Sequence, residues 1–195
     1  VTDLILPPLE TETDLKRRAF MKAGVALALM AGTPLSAVAD ENFWSRPREL
    51  KLYCANTREA LQVVYWSDNQ LNYPGYYQIC QLLRDTHENK AVQMDVVLLD
   101  ILRGVQGYYE AYGFQQPLVI NSGFRTEKTN ERLRKEGAVR NSMHLYGKAA
   151  DIYMPGIPVK HLGAVGLYFR SGGVGFYEGK GFVHLDTGRL RTWRG

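Results

Sequence analysis

Two histidines, two aspartates and one arginine carry the groups in this chain best suited to chemistry. In Ser142-Met143-His144-Leu145-Tyr146-Gly147-Lys148-Ala149-Ala150-Asp151 an imidazole and a carboxylate stand on either side of a glycine. Both are zinc-ligand types. Val183-His184-Leu185-Asp186, near the C-terminus, offers a second imidazole with an acid two positions on. Three protein ligands leave a coordination position open, from which a metal can activate water and polarise a carbonyl. Ser122-Gly123-Phe124-Arg125 sets an arginine after a glycine turn, where its planar fork suits a carboxylate or an oxyanion. Each piece also has a plainer reading. His144 can be a hydrogen-bonded core or surface histidine, Asp151 a strand-end acid, and Arg125 a salt-bridge partner of Glu127 or Glu131.

The elements that must position these groups follow from periodicity and turn residues. Gly147 lets the backbone reverse, and Ala149 to Met154 then reads as a short buried strand carrying Asp151 inward. Phe182 to Asp186 alternates, with Phe182, His184 and Asp186 on one face and Val183 and Leu185 on the other. Val174 to Tyr177 precedes it across the turn Glu178-Gly179-Lys180-Gly181, so a hairpin ends on the late histidine. Ser171-Gly172-Gly173-Val174-Gly175 lacks the Lys-Ser/Thr ending of a phosphate-cradling loop and reads as a turn. Upstream, Glu49 to Ala55 and Ala60 to Trp66 form a second hairpin, and Pro117 to Asn121 a strand that ends at Ser122. Helices are predicted from Pro74 to about His87, from Val92 to Tyr112 with Gly113 as terminator, from Thr126 to about Glu136, and from Val159 to Arg170. His87 and His161 fall on polar surfaces, and Tyr108, Tyr109 and Tyr112 are expected to pack. Ser142 can hydrogen-bond the approach to His144 or be a simple turn serine. The whole reads as an α+β domain with a small, largely antiparallel sheet and helices packed on it.

In combination, Ser142-x-His144-x-x-Gly147-x-Ala149-x-Asp151 and the later His184 resemble the LAS zinc peptidases, the lysostaphin, D-alanyl-D-alanine carboxypeptidase and hedgehog group. Ser122-Gly123-Phe124-Arg125, Gly172-Gly173-Val174-Gly175-Phe176-Tyr177, Phe182-Val183-His184-Leu185-Asp186-Thr187-Gly188 and the terminal Arg-x-Trp are similar to the murein endopeptidase K group within it, over roughly residues 48 to 195. The resemblance implies one zinc ion on His144, Asp151 and His184, with Arg125 facing the active site and engaging substrate. It also exposes a gap. Many of these peptidases carry a histidine two positions before the late ligand, here Phe182, and others an acid three before it, here Gly181. Asp186 is the favoured base, because relatives share the His-x-Asp arrangement, although it can instead only orient an imidazole. Glu178 and Tyr177 are the other candidates.

The front of the chain reads as an address. Lys16-Arg17-Arg18-Ala19-Phe20-Met21-Lys22, the uncharged run from Ala23 to Ala39 and the site Ala37-Val38-Ala39 form an export signal that resembles the twin-arginine type, cleaved after Ala39. The run of 17 residues, interrupted by Gly24, Gly32 and Pro34, falls short of the about 20 that a bilayer span needs. No stable membrane anchor is expected. Residues 1–39 form the leader, 40–48 a linker and 49–195 the peptidase domain. The periplasm beyond is oxidising, so Cys54 and Cys80 could pair or remain buried thiols.

Composition bounds the rest. The chain has 195 residues, 24 basic and 20 acidic, for a net charge of +4, and the excess lies beyond residue 39. A mild positive charge suits an anionic polymer, and no dense basic run interleaved with aromatics points to nucleic acid. The resemblance implies hydrolysis of peptidoglycan peptide stems by a periplasmic zinc endopeptidase, and the signal implies the twin-arginine export machinery as a further partner. A D,D- or L,D-carboxypeptidase and a silent wall-binding module are the alternatives.

Overall fold

A computed structural model describes residues 41–195. The expected leader, its paired arginines and the cleavage site after Ala39 lie outside the described residues. Eight strands form one mixed sheet in the order β3-β2-β1-β4-β5-β7-β6-β8. They are β1 (Arg48–Cys54), β2 (Ala60–Ser67), β3 (Gln70–Leu71), β4 (Leu118–Ser122), β5 (Ala149–Tyr153), β6 (Gly173–Tyr177), β7 (Phe182–Asp186) and β8 (Arg191–Arg194). The sheet is largely antiparallel, as expected, but β1 with β4 and β6 with β8 pair in parallel. It is also larger than expected. The terminal Arg191–Arg194, not assigned as a strand above, adds an edge beside β6.

Among the described residues five α-helices accompany it: α1 (Glu41–Ser45), α2 (Tyr73–Leu82), α3 (Val96–Glu110), α4 (Glu127–Leu133) and α5 (Val159–Tyr168). Residues 41–45 were expected as linker. They are instead helical, and Phe43 and Trp44 pack against the core because Arg103 lies over the Phe43 ring at 4.5 Å and Arg48 over Trp44 at 5.3 Å. The second predicted helix starts at Val96 and not at Val92, because the Asp95 carboxylate caps it by accepting the Val97 amide at 2.9 Å. Of its tyrosines Tyr109 is buried, while Tyr112 is exposed and shares a hydroxyl contact with Tyr108.

Alternation along the central strands separates two faces. Leu118 and Ile120 on β4, Ala150 and Ile152 on β5, and Val183 and Leu185 on β7 belong to the hydrophobic core with α2, α3 and α5. Asp151, His184 and Asp186 therefore face the other way. Cys54 and Cys80 are free and buried.

A buried carboxylate ties the end of α2 to the start of α4, next to Arg125. Asp85 accepts the amides of His87 (2.9 Å) and Glu88 (3.2 Å) on Oδ1, and the amide and hydroxyl of Thr126 (both 2.8 Å) on Oδ2. Burial alone would raise this carboxyl, but the Thr126 and Glu88 donors outweigh it and hold it below its ordinary value. Replacing Asp85 by Ala is expected to cost roughly 2 kcal/mol of stability at pH 7 by chemical denaturation, because buried donors lose a charged acceptor. With a folded value below the unfolded one, this contribution is complete above the unfolded pKa of about 3.9 and is lost as pH falls through the folded one. The gap between wild type and variant should therefore shrink on acidification below about pH 3.9.

Candidate metal centre

One row across the sheet builds most of the site. Ser122 pairs with Asp151, Asp151 with His184, His184 with Gly175 and Gly175 with Trp193, on β4, β5, β7, β6 and β8 in turn. His144 joins from outside the sheet, on a single 3-10 turn spanning Met143–Tyr146. The Ser142 hydroxyl caps that turn by accepting the His144 amide at 3.3 Å, so Ser142 holds backbone and not the imidazole. Gly147 then reverses the chain at φ 65°, where an added Cβ would stand 2.8 Å from the Gln93 carbonyl oxygen.

The three expected ligands converge. His144 Nε2 lies 3.2 Å from Asp151 Oδ1 and 3.1 Å from His184 Nδ1, and His184 Nδ1 lies 2.9 Å from Asp151 Oδ1. For bonds of 2.0–2.1 Å, the edge of a tetrahedral zinc site is about 3.3 Å. These separations come close to it.

The outer nitrogens fix the tautomers. His144 Nδ1 is 2.6 Å from the Gly123 carbonyl oxygen, which can only accept, so Nδ1 carries the proton and Nε2 presents a lone pair. His184 Nε2 donates to Asp186 Oδ2 at 2.9 Å, which turns the Nδ1 lone pair inward. All three ligand residues are buried. Two imidazole lone pairs and a carboxylate oxygen facing one point repel one another unless a proton or a cation lies between them. The donor set, two nitrogens and one oxygen with a partner behind each imidazole, fits a divalent transition metal such as zinc.

Electrostatics agree. Burial pushes the His144 imidazole below its usual value. For His184 burial acts the same way, but hydrogen bonds to Asp151 and Asp186 outweigh it and leave the group raised. Burial would raise Asp151, yet the imidazoles hold it well below the carboxylate range.

Arg125 does not pair with Glu127 or Glu131. Its Nη2 makes an ion pair with Asp151 Oδ2 and its Nε donates to Ser122 Oγ at 2.7 Å. Arg125 lines a cavity of about 600 Å³ together with the three ligand residues. Its Nη1 has no hydrogen-bond partner among the described residues.

Asp186, the favoured base, sits elsewhere than that role needs. Its side chain is 0% exposed, it is absent from the cavity wall, and its oxygens take part in five hydrogen bonds with four residues. Oδ1 accepts the amides of Gly173 (3.1 Å) and Gly188 (2.8 Å), and Arg191 bonds both oxygens at 3.1 and 2.6 Å. Burial would raise its pKa, but His184 and Arg191 hold it far below the usual range, so it is a poor proton acceptor. The geometry suits orientation of His184, the alternative stated for it above.

Some functional groups were not assigned from sequence. The Gly123 carbonyl gives no signal in a side-chain reading. Arg191 and Trp193 stand two apart, hence on one face of a strand, but only strand pairing brings them to the site. The Trp193 ring lies 5.2 Å from His184 and donates Nε1–H to the Tyr177 hydroxyl at 3.0 Å. Tyr177 stacks on Phe182 at 4.5 Å, so the empty base position becomes an aromatic wall. The glycine run closes on Asp186: a Cβ on Gly172 would overlap the Asp186 backbone carbonyl.

Comparison with known proteins gives a consistent answer. The family model described as peptidoglycan L,D-endopeptidase MepK matches residues 43–193. The peptidoglycan L,D-endopeptidase MepK of Escherichia coli K12 is 32% identical over 181 residues, 91% of this chain and 96% of that protein, and the Shigella flexneri protein of the same name matches equally. A probable peptidoglycan L,D-endopeptidase MepK of Haemophilus influenzae is 28% identical over 184 residues, 92% of this chain and 96% of its own length. No solved structure matches. With matching residues that run from Phe43 to Trp193 and take in His144, Asp151 and His184, the chain belongs to the peptidoglycan L,D-endopeptidase MepK family.

Proposed function

We propose that this protein is a zinc-dependent L,D-endopeptidase that hydrolyses peptide cross-links between peptidoglycan stems in the periplasm. The observation that carries the reading is the convergence of His144 Nε2, Asp151 Oδ1 and His184 Nδ1 on one wall of an open cavity, within a chain of this family. Residues 49–195 form the catalytic domain in this reading. The basic run, apolar segment and Ala37-Val38-Ala39 site support export by the twin-arginine route with cleavage after Ala39. Among the described residues no helix is long and apolar enough to cross a membrane.

His144, Asp151 and His184 would hold the ion. When bound, zinc supplies Lewis-acid polarisation of the scissile carbonyl and a nucleophile at neutral pH. The protein's own groups do the rest. The Gly123 carbonyl and Asp186 keep one nitrogen of each imidazole protonated and the other directed inward. Arg125 occupies the second oxygen of Asp151, which leaves Oδ1 for the metal, and its Nη1 is suited to receive negative charge that develops on a substrate carbonyl oxygen. The stacked Tyr177 and Phe182, braced by Trp193, wall the cleft beside the ligands. That wall limits access of bulk water on this side. Mild positive charge suits the carboxylate-rich stems.

Incubation of purified cross-linked muropeptides with the zinc-loaded protein should yield uncross-linked products, and chelation should abolish the reaction until zinc is restored. Turnover that survives complete metal removal would exclude the proposed chemistry, and release of terminal residues alone would make the enzyme a carboxypeptidase. His144→Ala and His184→Ala should each lose zinc by elemental analysis while keeping the wild-type circular dichroism. Arg125→Lys keeps the charge but not the fork that joins Ser122 to Asp151. It should lower kcat/KM by about 10- to 100-fold with little change in melting temperature.

A further inference from the structure

We infer that Arg191 is a positioning residue of the metal centre: by gripping Asp186 it fixes the ring of His184 so that Nδ1, and not Nε2, is the atom turned toward His144 and Asp151. This rests on the proposed reading that the cluster holds zinc.

An imidazole on a strand has two nitrogens that can serve as ligand, and the partner of one decides the role of the other. His184 and Asp186 lie two residues apart on the same face of β7, close enough for Nε2 to reach Oδ2 at 2.9 Å. A carboxylate two residues along a strand can rotate away, and this one is prevented from doing so. Arg191 Nη2 takes the oxygen that holds His184, at 2.6 Å, and Nη1 takes the other at 3.1 Å. The fork therefore sets the carboxylate plane. The amides of Gly173 and Gly188 complete the cradle on Oδ1. A side chain at position 173 would intrude on it, because a Cβ there would stand 2.5 Å from Arg191 Nη1 and 2.6 Å from Asp186 Oδ2.

Arg191 is itself anchored. Its guanidinium lies over the Trp193 ring at 4.8 Å, Nη1 also donates to the Arg189 carbonyl at 3.0 Å, and residue 191 pairs with Gly173 in the parallel β6 to β8 ladder. The chain from β8 to the ligand runs Arg191, Asp186, His184, with every link a charge-assisted hydrogen bond or an ion pair. The last strand is thereby part of the metal centre, although no residue of it is a ligand.

The test is metal affinity of the full chain, read by zinc competition with a chromophoric chelator and by the visible spectrum of the cobalt-substituted protein. Arg191→Ala should bind zinc about 10-fold or more weakly, the size expected for an outer partner of a ligand, and should alter the cobalt bands. Arg191→Lys, which keeps the charge without the fork, should fall between. In an Asp186→Asn background, Arg191→Ala should cost less than about 2-fold, because a residue that acts through Asp186 loses its lever once that carboxylate is gone. Wild-type affinity and cobalt spectrum in folded Arg191→Ala, or an equal loss in both backgrounds, would overturn the inference. Should the alanine variant fail to fold, the lysine variant carries the same comparison in both backgrounds. A wild-type protein that binds neither ion would overturn the zinc reading itself, and the role of Arg191 with it.

Discussion

Three electron pairs directed at one point are the constraint around which the rest of the structure is arranged. His144 Nε2, His184 Nδ1 and Asp151 Oδ1 stand within 3.2 Å of one another and are buried. Such a triangle is unfavourable by itself, since desolvated acceptors without a donor lose the hydrogen bonds they made to water. The fold maintains it by holding the opposite side of each group. Gly123 takes the back of one imidazole, Asp186 the back of the other, and Arg125 the second oxygen of the carboxylate. No member can turn away without giving up a partner.

That arrangement depends on sheet register. Asp151 and His184 are cross-strand neighbours on β5 and β7, Ser122 flanks them on β4, and Gly175 and Trp193 extend the row to the edge. A slip by one residue would send Asp151 and His184 to the core side and bring Ala150 or Val183 to the cavity. Core packing of Ala150, Ile152, Val183 and Leu185 beneath the row therefore secures the site as well as stability. Gly175 has the smallest side chain of the row because the Trp193 ring occupies the space in which a Cβ would stand.

Two arginine–carboxylate pairs bracket the triangle, Arg125 with Asp151 and Arg191 with Asp186. A buried carboxylate without a cation nearby would take up a proton and cease to be a pure acceptor. With both acids paired, each remains ionised. The pairs differ in position. Both arginines line the cavity, but Arg125 reaches Asp151 directly, whereas Arg191 grips Asp186 behind His184.

Much of this was legible in the sequence because it is local. Gly147 between His144 and Asp151, the alternation about His184, the hairpin into β7 and the helix that starts near Thr126 are short-range patterns with direct physical causes, and the largely antiparallel α+β fold follows from them. The ligand identities came from residue types joined to a resemblance. What the sequence could not express is anything carried by a backbone carbonyl or by strands distant along the chain. The Gly123 carbonyl behind His144, the parallel docking of β8 beside β6, and the helical seating of residues 41–45 exist only once the sheet has assembled. The same limit explains Asp186. A His-x-Asp pair on one strand face predicts proximity, and it cannot say whether the acid looks into the cleft or is enclosed by Gly173, Gly188 and Arg191. The sequence by itself determined which groups could bind a metal and on which strand faces Asp151 and His184 lie, since side-chain alternation is a property of the strand alone. Only the tertiary structure decided which nitrogen of each imidazole faces inward and which acid is confined to holding a ring, because those depend on partners brought from elsewhere in the fold.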